Sequence, residues 1–223
     1  MTKDMTSGSP FKKIVAFTMP LYLTNVFQQL YTIVNSIIVG QLLGTGALAA
    51  VGLTSSISFL IIGFCTGVAT GFSIPIAQSF GSRDYREMRR LSGNITTLAA
   101  IISVVFTVVT AVLCNPILQW MNTPENIFAD TYDYLLILFL GIPTVFVYNA
   151  LAGLMRSLGD SKTPLFILVL SAILSVVLAI VFIQVFGWGV AGAGWAIFVS
   201  QLFSAVWLPS SKNFLFCILE KKI

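Results

Sequence analysis

Between residues 25 and 40 the chain reads NVFQQLYTIVNSIIVG, an uncharged stretch holding the amides Asn25, Gln28, Gln29 and Asn35. Amides and hydroxyls donate and accept hydrogen bonds and can offer oxygens to a cation, but they do not exchange protons near neutral pH. At about 100° per residue, Asn25, Gln28, Gln29, Thr32, Asn35 and Ser36 fall within one arc of about 120°. Val26, Phe27, Leu30, Ile33, Val34, Ile37 and Ile38 fill the remainder. The chemistry such a stripe can do is binding. Amides can also serve as glue between helices, contributing about 1 kcal/mol each. This stripe holds more polar groups than one neighbouring helix can satisfy, so it is expected to line a water-filled cavity that binds a solute or an ion.

Asn25, Gln28, Thr32, Asn35 and Asn149 are the candidate cavity-lining groups, with Tyr31 and Tyr148 as aromatic contacts. Thr66, Thr70, Gln78, Gln184 and Gln201 are further polar positions in apolar surroundings, Gln78 and Gln184 near span ends where water is available. Gly63, Gly67 and Gly71 form a ridge at fourfold spacing, expected to let another helix backbone approach closely. Covalent catalysis has no candidates. There is no histidine, and Cys65, Cys114 and Cys217 each lie in or beside an apolar run, where a thiol packs as a small hydrophobe. No metal site and no cofactor is expected, and no nucleophile–base or carboxylate pair is available to an enzyme.

The elements that must position the stripe are long apolar helices. Of 223 residues, 57% are hydrophobic and 9% charged, far below the quarter that a water-facing domain carries. The chain is basic, with a net charge of +4, but its cations form no patch interleaved with aromatics, which argues against nucleic acid as a partner. Six segments can each cross about 30 Å of hydrocarbon: 14–40, 49–79, 94–114, 132–155, 164–186 and 190–209. The expected fold is all-α, a polytopic membrane protein with a bundle of six transmembrane helices, partnered by the lipid bilayer. Pro20, Pro75 and Pro143 should bend the first, second and fourth. GWGVAGAG (187–194) is short enough to make spans five and six an antiparallel hairpin. Residues 1–13 form an amino-terminal segment and 210–223 an atypical tail. No cleavable signal peptide is expected, because the apolar run from Ile14 is too long for a signal core.

All twelve Lys and Arg residues fall in four places, before span one, at 83–90, at 156–162 and after span six. The intervening loops hold none, and the long one around 115–133 holds only Glu125, Asp130 and Asp133. The positive-inside rule then puts both termini in the cytoplasm, with the plasma membrane as the expected location. Arg83, Arg86, Arg89 and Arg90 read as determinants of topology. Asp160 and Thr163 should cap or turn the chain ahead of Pro164.

Four stretches, IVNSIIVGQLLGTGALAAVG (33–52), FGSRDYREMRR (80–90), RSLGDSKTPLF (156–166, with Asn149 ahead of it) and GWGVAGAGWAIFVSQ (187–201), together resemble the multidrug and toxic compound extrusion (MATE) family. They cover most of residues 14–209 in the family's order. The resemblance implies an antiporter of two six-helix lobes around a V-shaped cleft, exporting organic cations, drugs or metabolites in exchange for H+ or Na+. It covers the amino-terminal half only. Many members carry an aspartate at the position of Asn35; an amide there cannot act by protonation, though it can coordinate a cation or hydrogen-bond a substrate. The tail WLPSSKNFLFCILEKKI departs from the expected link between lobes. A single lobe is one wall of a cleft, so a second lobe or a homodimer partner is implied. A lipid or polysaccharide flippase, a structural or regulatory membrane protein and a non-transporting truncated product stand as alternatives. The flippase would call for cavity cations, of which none is visible.

Overall fold

A computed structural model describes residues 10–157 and 159–210. It comprises α1 (Pro10–Leu43), α2 (Thr45–Gly81), α3 (Tyr85–Trp120), α4 (Glu125–Leu140), α5 (Ile142–Ser157), α6 (Lys162–Ile180), a π-helical turn (Val181–Val185) and α7 (Gly189–Ser210). Among the described residues, five spans are long and apolar enough to cross a membrane, α6 with its π turn among them; α4 and α5, bent by 41°, make a sixth if counted as one. Among the described residues the fold is all-α, the one open architecture that satisfies every backbone group inside hydrocarbon. The carboxy-terminal tail, Cys217 and most of the amino-terminal segment lie outside the described residues.

The connections are shorter than hydropathy implies. Gly44, at φ 86°, alone separates α1 from α2; a side chain would be strained in that left-handed conformation. The outer loop expected over 115–133 shrinks to residues 121–124, because α3 runs on to Trp120 and α4 starts at Glu125. Hydropathy reads a helix turn outside the hydrocarbon as a loop, and this is the physical reason for the difference. Asp84 caps α3, its Oδ1 accepting from the Glu87 amide at 3.0 Å. Ahead of α6, Asp160 Oδ1 accepts from the Lys162 and Thr163 amides at 3.1 Å each, and its Oδ2 accepts from Thr163 Oγ1 at 2.7 Å. That is the turn expected before Pro164.

The fourth span is two helices where one bent helix over 132–155 was expected. The break falls at Gly141, two residues before Pro143. Proline lacks the N–H that would reach Phe139, and its ring crowds that carbonyl. The chain ends α4 on Gly141, whose amide bonds Ile137 and Leu138 carbonyls at 3.0 and 3.1 Å. By contrast, α1 and α2 each continue through Pro20 and Pro75 as single helices.

The largest core cluster joins Ile61 and Cys65 of α2, Cys114 and Leu118 of α3, Leu135 and Phe139 of α4, and Ile142 and Phe146 of α5. Cys65 and Cys114 are free and buried, packing as apolar groups. A second cluster joins Val39 of α1, Tyr134 of α4, Ile183 of the π turn and Val190 and Ala193 of α7. Close approach of α2 and α5 comes from Gly153 on α5. A Cβ there would stand 3.3 Å from Ser73 Cβ and 3.5 Å from the Ala69 carbonyl oxygen. One turn on, Ser157 Oγ donates to the Ser73 carbonyl at 2.9 Å. The ridge expected to do this, Gly63, Gly67 and Gly71, is exposed, and a Cβ at any of the three would meet nothing within 4 Å. It packs against no helix of the described bundle.

Candidate functional site

The amide stripe sits on α1, which packs against α6, α2 and α7 along one side only. Asn25, Gln28, Gln29 and Thr32 are exposed, whereas Asn35 and Ser36, nearer the helix end, are half-buried. The two hydroxyls are satisfied within their own helix: Thr32 Oγ1 donates to the Gln28 carbonyl and Ser36 Oγ to the Thr32 carbonyl, both at 3.0 Å. Such back-bonding leaves the amides as the stripe's free hydrogen-bonding capacity. The helix thus bares amides on one face, with Phe27, Leu30 and Ile33 exposed beside them.

Along one edge the stripe turns into the bundle. Tyr31 is half-buried, and its hydroxyl lies 2.8 Å from Ser175 Oγ on α6. Asn35 follows one turn later, which places both on the α6 side of α1. Its Nδ2 is buried beside the Tyr31 hydroxyl but makes no hydrogen bond of good geometry. An unpaired buried donor costs about 1–3 kcal/mol. Ser175 is fully buried, and below it Ser171 Oγ donates to the Ser200 carbonyl of α7 at 2.6 Å. Ser200 in turn donates to Ile197 at 2.8 Å, and Ser204, one turn on, is also buried. A seam of serines between α6 and α7 therefore backs the Tyr31–Asn35 edge. The sequence carried a signal for it, because Ser171/Ser175 and Ser200/Ser204 repeat at a spacing of four inside two spans.

The two candidates on α5 do not join the α1 stripe. Tyr148 is buried, packed with Ala152, Met155, Ile167 and Leu208, and its hydroxyl donates to the Pro164 carbonyl at 3.1 Å. It ties α5 to the start of α6, and its ring lies in the interior and not on an open wall. Asn149 is half-buried, and its Nδ2 donates to Val145 on its own helix at 2.8 Å. Elsewhere, Thr70 is exposed with its hydroxyl on the Thr66 carbonyl at 2.7 Å. Gln78 and Gln184 are exposed and Gln201 is half-buried. Among the described residues no three His, Cys, Asp or Glu side chains come together as a metal site.

The family model described as MatE matches residues 20–181. The chain is 34% identical over 198 residues to the probable multidrug resistance protein YpnP of Bacillus subtilis (strain 168), covering 89% of this chain and 44% of that protein. It is 32% identical over 206 residues to the probable multidrug resistance protein YoeA of the same organism, again covering 44% of it. A crystal structure of MATE in the bent conformation superposes with a TM-score of 0.86 at 26% identity, over 97% of this chain and 47% of that one. The chain thus spans a little under half the length of the relatives it matches.

Proposed function

Since the chain belongs to the MatE family, and is on that ground a multi-pass membrane protein, we propose that it forms the amino-terminal lobe of an efflux transporter for organic cations, drugs or metabolites. The observation that carries this reading is the bare amide face of α1. Polar groups in hydrocarbon cost several kcal/mol unless water or a partner meets them. Asn25, Gln28 and Thr32 face outward from the bundle, so what meets them lies beyond this lobe: a wet cleft and the solute in it. The second wall is a second six-helix unit, either the other half of a longer protein or another copy of this chain. The exposed ridge at Gly63, Gly67 and Gly71 supports this, because it offers a smooth backbone surface that no described residue of the lobe covers. The relatives' names, both multidrug resistance proteins, agree in substrate class.

Exchange is for H+ or Na+ across the plasma membrane, with both termini cytoplasmic. Asn35 carries no proton to exchange, so its part is hydrogen bonding to the solute or coordination of a cation through its oxygen. Tyr31 and the Ser175 hydroxyl hold that edge of the wall in register.

The test is efflux of a fluorescent organic cation from vesicles containing the chain, driven by an imposed pH or sodium gradient, alongside binding of the same cation to the purified chain. Gradient-driven efflux lost in Gln28→Leu is the expected result. Binding without efflux would confine transport to an assembly with a different second lobe. Neither binding nor efflux from folded, inserted protein would sink the proposal.

A further inference from the structure

The cationic end of the bundle carries four arginines within eight residues, Arg83, Arg86, Arg89 and Arg90, around the turn from α2 to α3. All four are exposed. The two acids among them are committed: Asp84 caps α3 through the Glu87 amide, and Glu87 pairs with Arg90 at 3.8 Å, where the arginine side chain is still 76% exposed. Arg83, Arg86 and Arg89 have no carboxylate partner among the described residues.

What these cations face is set by α3 itself. At about 100° per residue, Arg86, Arg90, Thr97, Ile101, Val104 and Val108 fall within an arc of about 60°. All six are exposed in the bundle. Beyond Thr97 this face is a continuous run of bare aliphatic side chains, with Ile101, Val104 and Val108 each more than half exposed. Between Thr97 and Val112, unlike the exposed face of α1, it carries no amide, so this stretch is a face for lipid tails. The arginines lie on the same face, and Arg90 sits roughly 16 Å along the axis from Ile101 at about 1.5 Å per residue. That distance and the length of an arginine side chain put the guanidinium groups at the level of lipid headgroups.

We propose that this end of α3 is a docking surface for anionic phospholipid, with phosphatidylglycerol as the simplest member of the class. A headgroup phosphate is held by Arg86 and Arg90, and its acyl chains lie along the aliphatic stripe above. The guanidinium fork matches phosphate oxygens in pairs. Each cation near an anionic bilayer surface adds about five-fold to association. This surface lies on α3, away from the α1 stripe, and stands whether or not the α1 stripe binds solute.

The experiment offers the detergent-solubilised full chain equimolar phosphatidylglycerol and phosphatidylcholine and counts the lipid retained by native mass spectrometry. The wild-type chain should prefer phosphatidylglycerol. Arg86→Gln/Arg90→Gln should lower that preference about 25-fold, while Arg86→Lys/Arg90→Lys retains most of it. Equal retention by wild type and the glutamine variant overturns the proposal, as does a wild-type chain with no headgroup preference. Where the glutamine variant fails to fold, salt decides. A phosphatidylglycerol preference in the wild type unchanged between low and high NaCl would refute an electrostatic surface.

Discussion

Replacing Asn35 with leucine should make the lobe more stable while weakening the proposed cation binding, and the two effects have opposite signs. Asn35 Nδ2 is buried without a hydrogen bond of good geometry, which costs about 1–3 kcal/mol in the empty protein. Leucine has the same branching and no donor to leave unpaired; it is bulkier, but Asn35 is half-buried and leaves room for it. Allowing part of the gain to be lost to imperfect packing of the branched side chain, the net expectation is stabilisation by about 1–2 kcal/mol. For a chain of this size that corresponds to a rise in Tm of about 2–8 °C. The assay is thermal unfolding of the detergent-solubilised chain followed by intrinsic fluorescence, with and without the organic cation used to test the proposed function. In the wild type, added cation should raise Tm, because a ligand that binds only the folded state stabilises it by mass action. In Asn35→Leu that ligand-dependent rise should shrink or vanish while the ligand-free Tm goes up. A lower ligand-free Tm in the variant would refute the reasoning, since it would mean that the amide already has a stabilising partner. A ligand-dependent rise equal to that of the wild type would remove Asn35 from the binding wall.

The Tyr31–Ser175 hydrogen bond at 2.8 Å should show in a double-mutant cycle of Tyr31→Phe and Ser175→Ala, with a coupling energy of about 0.6–1.7 kcal/mol in unfolding measurements; additive single effects would mean the contact contributes nothing. Gly153→Leu should destabilise by about 1–3 kcal/mol or more through overpacking against Ser73 and Ala69. Gly67→Leu, projecting into open space, should leave the unfolding of the isolated lobe unchanged. Equal losses from the two leucines would show that the Gly63–Gly71 ridge is packed within the lobe after all.

The contrast between these two glycines shows which parts of the molecule sequence can announce. A small residue at fourfold spacing states that a helix backbone is accessible, but not from which side another helix comes. Gly63, Gly67 and Gly71 advertise a contact more loudly than the lone Gly153, yet the α2–α5 contact uses Gly153. The same limit governs the site. Periodicity alone placed Asn25, Gln28 and Thr32 on one face of α1, because a helix's own geometry fixes which residues share a face. It could not show that Thr32 and Ser36 would spend their hydroxyls on their own backbone. Nor could it show that Tyr148, a ring of the right type at a promising depth, would face Pro164 in the interior. Those outcomes depend on the rotation of one helix against another, which is a property of pairs. Where a signal for pairs did exist, in the serines at 171, 175, 200 and 204, it lay on two helices that had to be read together. The wall of the site was legible in α1; its backing was legible only in α6 and α7 jointly. Asn35 sits where the two meet, and its unpaired donor is the feature of the site that neither helix's pattern could reveal.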